Sequence, residues 1–122
     1  MNGFLFGATV LSLLTFGAHV FAGGPAVARP LLRSKDLDPI ARYTNFYCWH
    51  LVSIMLAAMV AGFALGAFRP ASHELAVLMT VLAGSFCVWS VVLIVWKHRR
   101  PLDLPQWALF LPITVLGVLG LA

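Results

Sequence analysis

The segment RPLLRSKDLDPIAR, Arg29 to Arg42, places four basic side chains between two long apolar runs, and KHRRP, Lys97 to Pro101, places three more between the next two. Of the eight Lys and Arg residues, only Arg69 falls in the remaining gap. Short loops rich in Lys and Arg stay on the cytoplasmic side of a membrane. The distribution therefore predicts a multi-pass protein of the cell inner membrane, with both basic loops inside and both termini on the non-cytoplasmic side. The expected fold is all-α, an integral membrane antiparallel bundle of four transmembrane helices forming a single domain over residues 1–122.

Composition points the same way. The 122 residues are 61% hydrophobic and 10% charged, whereas soluble domains are roughly 45–50% apolar and about 25% charged. A bilayer core of about 30 Å takes about 20 helical residues to cross, so four such segments use most of the chain and leave no soluble module. The net charge of +4 does not imply a nucleic-acid partner, because the cations flank apolar spans, where anionic lipid headgroups account for them. Arg29, Arg33, Lys35, Arg42, Lys97, Arg99 and Arg100 are the expected headgroup contacts. Cys48 and Cys87 both lie within apolar segments, where thiols pack as small hydrophobes and a secretory disulfide framework is not indicated.

The expected helices run over about residues 3–22, 39–68, 73–96 and 105–122. The first should stop at Gly23-Gly24-Pro25, since glycine accepts a left-handed cap and proline cannot continue the ladder. A cleaved signal peptide is the alternative, with Val20 and Ala22 small enough for a cleavage site; the lack of a basic residue in Met1-Asn2-Gly3 and the four-charge loop that follows favour a retained helix. From Gly23 to Tyr43, prolines 25, 30 and 39 argue against one continuous helix. This stretch reads as an elbow loop or, with Leu31 and Leu32 facing down, as a segment lying in the headgroup layer. Asp38-Pro39 reads as an N-cap and first helical residue, Ser72 as a second N-cap with Glu74 in the first turn, and Pro112 as a bend. Trp96 and Trp107 sit where aromatic rings anchor at the water–lipid boundary.

Helical spacing sorts the weakly polar residues into stripes that should face the bundle interior: Ala8, Ser12, Thr15 and His19 on the first helix, His50, Ile54, Ala57 and Ala61 with Ser53 beside them on the second, and Thr80, Gly84 and Cys87 on the third. Gly3-x-x-x-Gly7 and Gly62-x-x-x-Gly66 are further close-packing candidates, within the chain or between copies. His19 and His50 stand out, because an ionisable group within a membrane must find a partner. One reading makes them neutral hydrogen-bonding glue between helices. The other makes them cofactor-binding residues, axial ligands of a haem or part of a transition-metal site.

His73 and His98 fall at the boundary, and every carboxylate, Asp36, Asp38, Glu74 and Asp103, lies outside the apolar runs. Small multidrug-resistance exporters have a similar length and four helices but depend on a glutamate in their first helix, which this chain lacks. Glycine-rich nucleotide loops, metalloprotease motifs and paired intramembrane carboxylates are also missing. The expected role is thus a non-enzymatic accessory, assembly or scaffold component whose partners are the bilayer and other membrane proteins or itself. A haem- or metal-binding redox subunit using His19 and His50 is the alternative, and a small transporter a second one.

Overall fold

The computed structural model describes Met1 to Ala122 and is helical throughout, without strands. Helix α1 (Gly3–Gly17), a π-helical segment (Ala18–Ala28) and α2 (Arg29–Arg33) join end to end as one rod of 31 residues. Then come α3 (Pro39–Phe68), a single 3-10 turn (Pro70–Ser72), α4 (His73–Trp96) and α5 (Gln106–Leu121). The rod, α3, and α4 with its leading turn are each long and apolar enough to cross a membrane. Helix α5 is equally apolar but has 16 residues. It rises about 24 Å, short of the ~30 Å of a bilayer core.

The ends are set by local chemistry. The Asn2 side chain accepts from the Phe4 and Leu5 amides at 3.1 Å each, capping α1. Its Nδ2 donates to the Gly120 carbonyl at 2.7 Å, and its backbone N–H donates to the Ala67 carbonyl at 2.9 Å. One residue thereby ties the start of α1 to the ends of α3 and α5. Asp38 caps α3 as expected, accepting from the Ile40 and Ala41 amides, with Pro39 as first helical residue. Ser72 does not cap α4 with its side chain. Its backbone (φ −102°, ψ 22°) is already close to helical because the 3-10 turn runs into α4, whereas a capping side chain needs an extended residue to aim it back.

The largest departure from the sequence expectation is at Gly23-Gly24-Pro25, where the first helix continues to Arg33. Only Ser34 to Asp38 breaks the path into α3, so the Gly23 to Tyr43 stretch is not one continuous helix, as expected, but most of it is helical and the loop is confined to those residues. Helix α3 and α4 match their expected spans, and α5 begins one residue later and ends one earlier than expected.

Helix α1 packs on α3 and α5, and α4 packs on the same two. With Asn2, Ala67 and Gly120 together at one end, Arg33, Pro39, Lys97 and Gln106 lie at the other. Seven of the eight cations thus belong to one end and Arg69 to the opposite one. The core joins Leu5 and Ala8 of α1, Leu56, Met59, Phe63 and Ala67 of α3, Ala76, Met79 and Ala83 of α4, and Phe110 and Ile113 of α5. No residue of α3 before Leu56 is buried. Outer faces carry large apolar side chains such as Ile54, Val81 and Trp89, each more than half exposed. Lipid tails solvate such faces at no cost, and water does not.

Two interior stripes are where spacing put them. Ala8, Ser12 and Thr15 are buried and His19 half-buried, and Thr80 is buried with Gly84 and Cys87 half-buried. The α3 stripe is not: His50, Ile54, Ala57 and Ala61 face outward, and the inward line is Trp49, Ser53, Leu56, Met59 and Phe63. Gly62 and Gly66 work within the chain, bringing α3 against α4. A Cβ on Gly66 would sit 2.7 Å from the Cβ of Ala76, and one on Gly62 would meet the Met79 side chain. Gly117 of α5 likewise gives way to Thr80.

At the basic end α4 closes with the Arg99 amide on the Ile94 carbonyl (3.0 Å) and the His98 amide on that of Val95 (3.3 Å). This is a Schellman cap with His98 at φ 49°, a position that glycine usually holds.

Two substitutions test this packing through thermal unfolding in detergent micelles. Gly66→Ala should destabilise by about 1–3 kcal/mol, since the Ala76 methyl has no rotamer with which to withdraw. His98→Gly should stabilise by about 0.5–1 kcal/mol by removing a left-handed Cβ; an unchanged or lowered midpoint would contradict the cap.

Candidate functional site

Proline in an α-helix lacks a ladder donor, and its ring collides with the carbonyl four residues back. At Pro25 the chain answers with a wider turn. Pairing shifts to five residues, as when the Arg29 amide bonds the Gly24 carbonyl, and this geometry extends over eleven residues, Ala18–Ala28. Such segments are rare, usually one turn long, and frequent at functional sites. Here the π segment lies against the part of α3 that contributes nothing to the core.

The contact between the two is a polar and aromatic brace. The His19 ring stacks on Trp49, with centroids 4.0 Å apart and planes 17° from parallel, and its Nε2 lies 2.9 Å from the Ser53 hydroxyl. That hydroxyl donates to the Trp49 carbonyl at 3.3 Å. The hydroxyl is thus shared between the imidazole and the Trp49 carbonyl. Trp49 fits because Gly23 has no side chain: a Cβ there would lie 2.7 Å from the indole Cη2. The histidine, tryptophan, serine and glycine therefore interlock one turn apart on facing helices.

Below the brace, towards the basic end, the same two segments border an open groove of about 650 Å³. Phe21 and Pro25 form its rod side, Arg29 and Leu32 of α2 its mouth, and Phe46 and His50 its α3 side. His50 is exposed and meets Phe46 edge-on, with centroids 4.6 Å apart; neither of its ring nitrogens hydrogen-bonds within the chain. No further helix closes the groove. The Trp107 amide at the start of α5 bonds the Ser90 hydroxyl at 3.2 Å, and Gln106 and Phe110 share a cleft with Val52. Helix α5 thus starts at the level of Val52, and the α3 residues from Pro39 to Leu51 extend beyond it.

The two candidate histidines are near each other but differently employed. His19 is half-buried in the brace, and His50 sits on the groove wall. Extending the rod to Arg33 also moves His19 away from the loop: it is 14 residues from Arg33 and level with Ser53, not close to the end of its helix as the sequence spacing suggested. With its Nε2 engaged by Ser53, His19 would ligate a metal through its other ring nitrogen, and His, Cys, Asp and Glu form no group of three or more suited to a metal. Cys48 is exposed, contrary to the buried thiol expected, because it shares the outward face of α3. Cys87 is half-buried and donates to the Trp107 carbonyl at 3.7 Å, linking α4 to α5.

The candidate headgroup contacts divide likewise. Arg42 donates to the Ser34 carbonyl at 2.9 Å and lies over Tyr43, Lys97 lies over Trp96, and Arg100 pairs with Asp103 at 4.0 Å. Arg33, Lys35 and Arg99 project from the surface, and Arg29 alone among them lines the groove. Sequence spacing did not single out Trp49, Gly23 or Ser53 as one unit. The signal was present in a tryptophan and a serine four residues apart facing a Gly-Gly pair, but it depends on the helix passing through Pro25.

The brace predicts that Ser53→Ala destabilises by about 0.6 kcal/mol and by no more than about 1.7, the mean and upper bound for interhelical hydrogen bonds in membranes, and that Gly23→Ala shifts Trp49 fluorescence by pushing the indole off His19. Unfolding midpoints and emission spectra check both, and an unperturbed Trp49 in Gly23→Ala would refute the interlock. No protein-family model, curated protein or solved structure matches this chain.

Proposed function

We propose that this chain is a small multi-pass membrane protein of the inner membrane, a non-enzymatic accessory or scaffold component that pairs through α3 with a helix of another membrane protein or of a second copy. The observation that carries the reading is the outward face of α3, where Ala57 and Ala61 are exposed one helical turn apart beside Ile54. Small residues at this spacing let a second helix approach closely, and close approach is what drives helix association where lipid removes the hydrophobic incentive. The unburied half of α3 extends the same free face towards the basic end.

The threading proposed from charge puts that end in the cytoplasm, with both termini outside. The clustering of seven cations at one end of the helices is what supports it. The hydrogen bond to Ser53 engages one ring nitrogen of His19 and leaves the other, so the haem or metal reading of His19 and His50 stays as the alternative. Transport by a carboxylate relay has no carboxylate in mid-helix to use, since Asp36 and Asp38 are in the loop, Glu74 is in the first turn of α4 and Asp103 precedes α5.

Extraction into native nanodiscs tests the proposal. The wild-type chain should run as an assembly larger than one copy, and Ala57→Leu with Ala61→Leu should release it as a single folded chain of unchanged helicity. A wild-type protein that is already a lone monomer would defeat the scaffold reading, and a Soret absorbance lost in His50→Ala would replace it with the redox subunit.

A further inference from the structure

The groove below the brace combines three things that its place in the fold does not require: apolar walls, an uncovered side, and a cation at its mouth without a counter-charge. The only ion pair in the chain is Arg100 with Asp103. Asp38 spends its carboxylate on the first amides of α3, so Arg29 faces the groove with no carboxylate within 4 Å. His50, on the opposite wall, keeps ring nitrogens that no protein group engages. A guanidinium and an imidazole across a slot that is otherwise Phe21, Pro25, Leu32 and Phe46 are complementary to a molecule with an anionic head and a hydrocarbon body. Guanidinium matches phosphate oxygens in a bidentate fork, and basic pockets between membrane helices on this side of a bilayer take anionic headgroups.

We infer that the groove between the π segment, α2 and α3 is a binding site for one anionic phospholipid, its phosphate held by Arg29 with His50 as a second donor and an acyl chain lying along Phe21 and Phe46 towards Trp49. The occupant is a lipid and not a free anion because most of the wall is apolar and the slot opens sideways, where lipid chains are the surrounding medium. This site is distinct from the outward Ala57–Ala61 face and does not depend on pairing there. The other cations on this end attract anionic lipid as a surface layer; Arg29 differs in lining an apolar groove between two helices.

The test uses the full chain in nanodiscs of equal phosphatidylglycerol and phosphatidylcholine, released into native mass spectrometry. One phosphatidylglycerol should remain bound about fivefold more often than phosphatidylcholine, the equivalent of the ~1 kcal/mol that one basic side chain contributes towards anionic lipid. Arg29→Gln should bring the two to parity, Arg33→Gln, just outside the groove, should leave the preference, and Arg29→Lys should keep part of it. Location is read from Trp49 with Trp89, Trp96 and Trp107 replaced by Phe: brominated phosphatidylglycerol should quench it at about one fifth of the mole fraction that brominated phosphatidylcholine needs. Equal retention of the two lipids by the wild type overturns the site, as does an equal loss in Arg29→Gln and Arg33→Gln, which marks a diffuse surface attraction. Competition by millimolar inorganic phosphate also overturns it, because the site would then bind a small anion. If Arg29→Gln loses its helicity, the wild-type retention and the Trp49 quenching still decide.

Discussion

Every backbone amide and carbonyl in this chain must be satisfied close to home, because the surface around it is apolar. Of 97 backbone hydrogen bonds, 85 lie within helices, and the remaining ones are mostly the caps and turns that join them. In hydrocarbon an unpaired peptide group costs several kcal/mol, so a helix that can continue does continue. That requirement accounts for the two features that look least natural in the sequence, Pro25 and Pro112 inside helices. In water a Gly-Gly-Pro run ends a helix cheaply, since solvent takes up the freed carbonyls. Here the carbonyls have no such solvent, and a change of pitch from four-residue to five-residue pairing keeps them bonded.

From this follows an unequal molecule. Towards the Asn2 end four helices meet, with Gly66 against Ala76, Gly117 against Thr80 and Leu5 against Gly120 setting close approaches, and Phe63, Leu56 and Met59 filling the centre. Towards the basic end α5 stops at the level of Val52, and only the widened rod continues beside α3. The first end has the dense packing that specifies a fold. The second has an aromatic brace and an open slot.

The sequence made the helices legible and their facing partly so. Length and composition placed α3 and α4 to the residue, and Asp38-Pro39 declared its cap because that signal is local and independent of the solvent. The stripe on α1 was readable because its polar members, Ser12, Thr15 and His19, all turn inward. On α3 the same logic misled. His50 drew Ile54, Ala57 and Ala61 into an interior stripe, whereas the chain buries Leu56, Met59 and Phe63 and leaves the alanines outside. In lipid, polarity does not separate inward from outward faces as water does, so which neighbour fills which space decides the rotation, and neighbours are not visible from one helix. Gly23-Gly24 does not end the helix for a related reason: a helix terminus is an agreement with solvent, and this signal stops a helix only where water takes up the freed carbonyls.

The brace and the groove are two outcomes of the same widened turn. Through the Ala18–Ala28 segment the rod lays His19 flat on Trp49, and just past its far end Arg29 lines the groove. Gly23 then becomes the residue on which both depend, since any side chain there would meet the indole that forms the roof of the slot. Pro25 therefore acts less as an interruption than as the residue the wide turn accommodates, and that turn carries the rod from a half-buried imidazole in the brace to an uncompensated guanidinium at the groove.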